Sequence, residues 1–369
     1  MKRLLNKKTR FETSIGIINL LVGIIYGIYL TISNNLTGFR IFSSTISGII
    51  LLVISSIILI FYILIRIVLK EKVKKDIQRL FYLITYIVLF ITLLDVLVFG
   101  IVRAFIDAKN LKQRPTTADA LSIRLAYLCM KNAKAILLGV WTTIWLSLAG
   151  TLVGLVLALL FITLRTLEVS DKDSEFMALL KKIGCGFVKV YVTVFRGTPM
   201  MVQAIIIFYF LPGILSSIFG VDQKVLNEIL SVGVAGFITV TLNTTAYLTE
   251  VLRGGIEALN KGQMEAARSL GMSRPKAMLY VILPQAIKNS LPSICNEFII
   301  NIKDTSVLSV IQVMDLFFVI DSINGRYANN DGIFIAAIIY LCLTLGISKL
   351  LGLIEKKMNL VSKPLPSSN

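Results

Sequence analysis

Long apolar blocks, nearly free of charge, set the fold class. Several reach about 18 residues or more, the length that crosses ~30 Å of hydrocarbon. They are too long and too uniform for ordinary amphipathic helices. The short alternating segments of a membrane barrel do not dominate. The 369 residues are 16% charged, against about 25% in a soluble domain. The expected class is an all-α polytopic membrane protein with about eight transmembrane helices. They run roughly Ile15–Ile32, Ile46–Leu69, Leu80–Ile106, Ala135–Leu164, Pro199–Leu215, Ser231–Glu250, Ala286–Val313 and Gly332–Leu353.

Net charge is +17. The Lys and Arg residues sit in short loops and termini, so they read as membrane orientation and headgroup contacts, with no nucleic-acid partner. Lys2, Arg3, Lys7, Lys8 and Arg10 put the N-terminus in the cytoplasm, ahead of an uncleaved first span. The loop "KEKVKKDIQR" after the second span is cytoplasmic too, whereas the loop before that span holds only Arg40. Span four then ends inside at Arg165, span six at Arg253 and span eight at Lys356 and Lys357. The external segment Asp107–Asn132 fits this rule poorly, with Lys109, Lys112, Arg114, Arg124 and Lys131. It is expected to hold an interfacial helix over Ala118–Cys129, with a boundary near Pro115.

Histidine is absent, and Cys129, Cys185, Cys295 and Cys342 are scattered. A zinc site or a Cys–His nucleophile is not expected, and no metal ligand set or catalytic residue is assigned. No G-x-x-x-x-G-K-[ST] loop is present, so the chain is not expected to bind ATP. "GTLVG" at Gly150–Gly154 is a small-residue pattern for close helix packing.

Between spans six and seven lies "RGGIEALNKGQMEAARSLGMSRPKAMLYVILPQAIKNSLP". Glu265 to Leu270 favour helix. Gly271 is placed to end it in the left-handed C′ position. Ser273 is placed to cap a second helix with Pro275 in its first turn, and Pro284 to bend or break it. Ala266 and Ala267 offer a small close-approach surface between Glu265 and Arg268. A rigid, knobbed cytoplasmic loop of this kind suits docking into a groove of another protein.

The spacing Glu265-Ala266-Ala267, Gly271, Val281-Ile282-Leu283-Pro284 resembles the EAA loop of permease subunits of binding-protein-dependent type I ABC importers, with Val281 where that pattern expects isoleucine. "GVWTTIWLSLAGTLVGLVLALL", "VFRGTPMMVQ", "LNTTAYLTEVLRGGIEALNKGQ" and "NEFIINIKDTSVLSVI" are similar to the polar amino-acid subfamily, which imports histidine, glutamate, glutamine, arginine, cystine or opines. The resemblance covers about residues 136–353 and leaves out the first 130. It implies that the last five spans form a type I importer transmembrane domain, with a coupling loop over about residues 252–288. Residues 1–130 become an N-terminal extension with about three spans, and residues 354–369 a cytoplasmic tail. Gly262, Gln263, Glu265, Ala266, Ala267, Gly271 and Pro284 are then the residues that couple to an ATPase subunit. The implied partners are that ABC ATPase, a second permease chain, an extracytoplasmic solute-binding protein and membrane lipid. ATP and magnesium belong on the ATPase, and the location is the bacterial cell membrane.

Polar groups inside spans are costly and point to function. Asn243 and Thr244 of span six and Glu297, Asn301, Lys303 and Asp304 of span seven are the candidate pathway residues. Glu297, Asn301 and Asp304 share a helical face, and Glu297 with Lys303 is placed to meet the two ends of a zwitterion. Interhelical hydrogen bonding is the alternative. Arg196, opening span five, is placed to touch the ATPase or headgroups, or to anchor the inner leaflet. Two other functions stay open: a secondary transporter or channel independent of any ATPase, and a membrane scaffold or sensor that retains the permease fold.

Overall fold

The computed structural model describes residues 101–117, 119–167, 169 and 173–359, together with Leu83. The first two expected spans and most of the third lie outside these residues. The chain divides into two compact units between Ala133 and Lys134.

In the first unit, α1 (Ile101–Asn110) runs past the expected end of span three at Ile106. Its Ala104 and Ala108 are buried with Ala126 in a small apolar cluster, with Ile123 and Tyr127 against it. The boundary around Pro115 is an irregular stretch. There the Asp119 carboxylate accepts from the Thr116 amide at 2.7 Å and the Thr116 hydroxyl at 3.2 Å. The expected interfacial helix is not a separate element. A single helix, α2 (Leu121–Arg165), covers both it and span four, since "CMKNAKA" holds neither Pro nor Gly to stop it.

In the second unit, α3 (Glu175–Gly197) starts at Ser174, whose hydroxyl accepts the Met177 amide. Then come α4 (Met200–Phe219), with a π-helical turn at Ile206–Phe210, and α5 (Gln223–Ile229). Next are α6 (Val232–Glu257), α7 (Gly262–Ser269) and α8 (Arg274–Ala277). After a π-helical turn at Met278–Ile282, α9 (Leu283–Asp304) tightens into a 3-10 turn over Thr305–Ile311. The chain bends by 51° into α10 (Leu316–Tyr327) and ends in α11 (Gly332–Asn359). Among the described residues, α2, α4, α6 and Gly332–Leu353 of α11 are each long and apolar enough to cross a membrane. The bent pair Arg274–Ile311 and Leu316–Tyr327 adds a fifth. Neither α3 nor α10 was expected.

Apolar burial does not distinguish a neighbouring helix from lipid, so close packing and hydrogen bonds must hold such helices together. The outward residues are large and apolar, as in Trp141, Trp145 and Leu152 of α2. The contact faces are small. A Cβ on Gly150 would lie 2.5 Å from Val240, and one on Gly154 3.2 Å from Thr244, so α2 crosses α6 at the predicted glycine pair. On Gly255 it would lie 2.1 Å from the Ser290 hydroxyl and 2.9 Å from the Ala286 carbonyl, bringing α6 onto α9. Around these crossings Ala158 and Ile162 of α2, Leu248 and Leu252 of α6, and Leu283 and Ile294 of α9 form one buried cluster. A second cluster joins Leu146, Ala204, Ile207, Ala235, Val240, Leu308 and Ile311.

Candidate functional site

The connection between α6 and α9 is a folded knob. At its start the Asn260 side chain accepts the Gly262 amide at 2.9 Å. At its end α7 closes in a Schellman motif. The Gly271 amide donates to Arg268 at 3.0 Å and the Met272 amide to Ala267 at 3.2 Å. Gly271 has φ 84°, a conformation that costs a side-chain-bearing residue steric energy. The next helix starts at Ser273 with Pro275 in its first turn, but the Ser273 side chain makes no cap hydrogen bond. The break expected at Pro284 is absorbed by the π-helical turn: the Leu283 amide reaches back five residues to Met278, and the Gln285 side chain donates to the Val281 carbonyl at 2.8 Å.

Gly262, Gln263, Glu265 and Ala266 are exposed. Ala267 is not part of the outer surface: it is 5% exposed, folded inward, and corrects the expected alanine pair. The outer face instead carries Leu270, 85% exposed, and Tyr280, 67% exposed. Sequence reasoning passed over Leu270. Its signal is its place at the C-cap, directly before a left-handed glycine, where the chain turns away from the helix's inner face. Pro284 is exposed at the start of α9.

The polar residues of α6 and α9 divide by use. Asn301 is buried and donates to Thr151 Oγ1 at 2.8 Å and Thr244 Oγ1 at 2.9 Å, tying α9 to α2 and α6. Asn243 donates to Gln203 Oε1 at 3.1 Å. Gln203 in turn donates to the carbonyls of Phe195 at 2.9 Å and Thr198 at 3.0 Å, fixing the corner between α3 and α4. The amide nitrogens of Asn243 and Asn301 and the Thr244 hydroxyl are therefore engaged by neighbouring helices. Thr239, Thr245 and Thr249 bond back to carbonyls of α6 itself, while the buried Thr241 hydroxyl has no partner among the described residues.

Glu297 differs from these. It is 8% exposed, and no hydrogen bond among the described residues reaches its carboxylate. Lys303 and Asp304 are exposed at the end of α9, so the expected face Glu297–Asn301–Asp304 is buried only at its first two members. Six helical positions put Lys303 about 120° around α9 from Glu297.

Arg196 turns inward onto its own chain. Its guanidinium lies 5.3 Å from the Tyr247 ring centroid and 3.8 Å from Glu250. Glu250 also takes Arg165 of α2 and, at 2.8 Å, Arg253. An aromatic stack of Phe161, Tyr191 and Phe195 lines the α2–α3 contact, with centroids 4.9 and 4.5 Å apart. Tyr191 donates to the Leu242 carbonyl at 2.7 Å. Gln203 and Thr151 were not singled out from the sequence, and Arg165 was read only as the basic end of span four; each is one polar residue in or beside an apolar run. Among the described residues no cluster of His, Cys, Asp or Glu is arranged to hold a metal.

Residues 175–360 match the family described as "Binding-protein-dependent transport system inner membrane component". The chain is 32% identical over 225 residues to the glutamine transport system permease protein of Escherichia coli (strain K12), covering 60% of this chain and 92% of that protein. It is 34% identical over 225 residues to the L-cystine transport system permease protein of Bacillus subtilis (strain 168), covering 60% and 85%. A crystal structure of an amino acid ABC transporter with histidines superposes with a TM-score of 0.51 at 34% identity, over 62% of this chain and 96% of that one.

Proposed function

We propose, on the premise that this chain belongs to the family of binding-protein-dependent transport system inner membrane components, that it carries a polar amino acid across the membrane on ATP hydrolysed by a separate subunit. It is the permease subunit of a polar amino-acid ABC transporter, a multi-pass inner membrane protein and a transport component rather than an enzyme. Such a component works with an ATPase and a solute-binding protein. In our reading ATP and magnesium sit on the ATPase, and the binding protein releases its solute outside. A second permease chain completes the pathway. About eight spans leave both termini in the cytoplasm. Residues 1–130 form an extension, 136–353 the permease domain and 354–369 a tail.

One observation carries the coupling role. The loop between α6 and α9 is folded, with Asn260 accepting the Gly262 amide at its start and a Schellman turn at Gly271, and it projects Gln263, Glu265, Ala266 and Leu270 outward. Leu270, 85% exposed, gives a partner's groove an apolar contact among these residues. Within the membrane, Glu297 is a buried carboxylate that no hydrogen bond among the described residues reaches, and it suits the ammonium end of an amino acid.

The test is uptake into proteoliposomes holding this chain, its copurified ATPase and the solute-binding protein. Labelled glutamine, cystine, histidine, glutamate and arginine serve as candidate solutes. Accumulation of one of them that requires ATP and the binding protein supports the reading. Uptake driven by an ion gradient alone, or no uptake of any polar amino acid, overturns it.

A further inference from the structure

We infer that Glu250 is a positioning residue for energy coupling: it clamps the inner ends of α2 and α3 to the helix that leads into the cytoplasmic loop. The inference rests on the importer reading above. A single carboxylate receives three arginines, two of them from other elements. Arg165 ends α2 and binds one Glu250 oxygen. Arg253, one turn on, holds the other oxygen at 2.8 Å. Arg196 ends α3, 3.8 Å from that second oxygen and against the Tyr247 ring. Arg253 also pairs with Glu257. The Cys185 thiol of α3 lies 3.7 Å from the Arg165 carbonyl, so α3 is held at its middle as well as at its end. The Glu250 side chain is 16% exposed and Arg165 20%, so water screens this pair less than it would an exposed one.

Position gives the cluster its role. Glu250 precedes the first residue of α7 by twelve positions in the sequence. At Gly255, between them, α6 touches α9, the other flank of the loop. Force applied to α7 therefore reaches α6 and α9 directly. It reaches α2 and α3 through apolar packing of Ala158 and Ile162 and the Tyr191 bond, and the Glu250 carboxylate adds the polar tie at their ends. With the carboxylate neutralised, three guanidinium groups face one another with one fewer anion, and they repel. The ends of α2 and α3 then sit less firmly on α6, and the loop's motion carries them less completely.

The test uses the full transporter in proteoliposomes, comparing the intact chain with Glu250→Gln, Glu250→Asp and Arg165→Gln, each checked for ATPase copurification. Solute taken up per ATP hydrolysed should fall about tenfold in Glu250→Gln and in Arg165→Gln, the scale of coupling between linked sites. It should fall less in Glu250→Asp, and the double variant should be no worse than the worse single. Spin labels at Leu164 and Leu270, in a cysteine-free background, give a second readout that does not depend on transport. Their distance distribution should broaden in Glu250→Gln and narrow again in Glu250→Asp. An unchanged distribution, or a solute-to-ATP ratio within about twofold of intact in assembled Glu250→Gln, overturns the clamp. If the intact chain shows no ATP-dependent uptake, the importer reading fails, and the distance distributions alone decide the clamp.

Discussion

Replacing Asn301 separates a structural amide from one that serves the solute. Asn301 is 3% exposed and spends both amide hydrogens across helices, on Thr151 at 2.8 Å and Thr244 at 2.9 Å. An interhelical hydrogen bond in a membrane protein contributes about 0.6 kcal/mol on average and at most about 1.7. Two of them therefore give about 1–3 kcal/mol. Asn301→Ala also leaves a void, which adds on the order of 1 kcal/mol. The expected loss is about 2–4 kcal/mol. Asn301→Leu keeps most of the volume and should lose only the bonds. That cost stays near 1–2 kcal/mol, because Thr151 still donates to the Ser147 carbonyl at 2.6 Å. The assay is equilibrium unfolding in mixed micelles, with uptake measured per assembled transporter. Stability should fall in the order intact, Leu, Ala, while the solute concentration for half-maximal uptake stays within about twofold. Stability of Asn301→Ala within about 0.5 kcal/mol of intact would refute the argument. A raised half-maximal concentration would then assign the amide to the solute.

Glu297→Gln should do the reverse: because a buried, unbonded carboxylate is costly, unfolding stability should hold or rise, while half-maximal uptake shifts upward by about tenfold if the carboxylate meets a cation. Gly150→Leu should force α2 off α6, since even a Cβ lies 2.5 Å from Val240. A cost of about 1–3 kcal/mol is expected by the same unfolding assay. Gly186→Ala, which meets nothing within 4 Å, is its control and should change little. Gly271→Ala should cost about 1–2 kcal/mol locally, because φ is 84°. Loss of ATPase copurification should accompany it, and unchanged copurification together with unchanged stability would contradict that reading of the turn.

The spans that were legible are those with long apolar runs: α2, α4, α6 and α11, and α9 with the 3-10 turn that follows it. The crossing of α2 over α6 was legible as well, because the Gly150–Gly154 spacing states a requirement for close approach. Missed was α3, whose lysines interrupt its hydropathy. Its apolar residues, such as Phe176, Ile183, Phe187 and Val194, instead recur at helical spacing and form an exposed stripe. Also missed was α10, short and set off by a sharp bend. Its N-terminus did carry a cap, Asp315, which accepts the Phe318 amide at 2.9 Å. The alanine pair could not be divided from sequence. Ala266 and Ala267 are chemically identical, and only the packing of α7 on the following turn buries the second. For the polar residues, composition named candidates and geometry sorted them. Asn243 and Asn301 find partners on helices distant in sequence, 40 and 150 positions away, a fact no local pattern contains.

The central claim is that the knob at α7 seats in an ATPase subunit, and cross-linking at Leu270 tests it most directly. Leu270→Cys, introduced with Cys129, Cys185, Cys295 and Cys342 replaced, is treated with a short bifunctional reagent in native membranes. The account predicts one cross-linked product with an ABC ATPase subunit, diminished when Gly271→Pro distorts the turn. Efficient labelling of Leu270→Cys with no ATPase product, in membranes that still transport the amino acid, would contradict it.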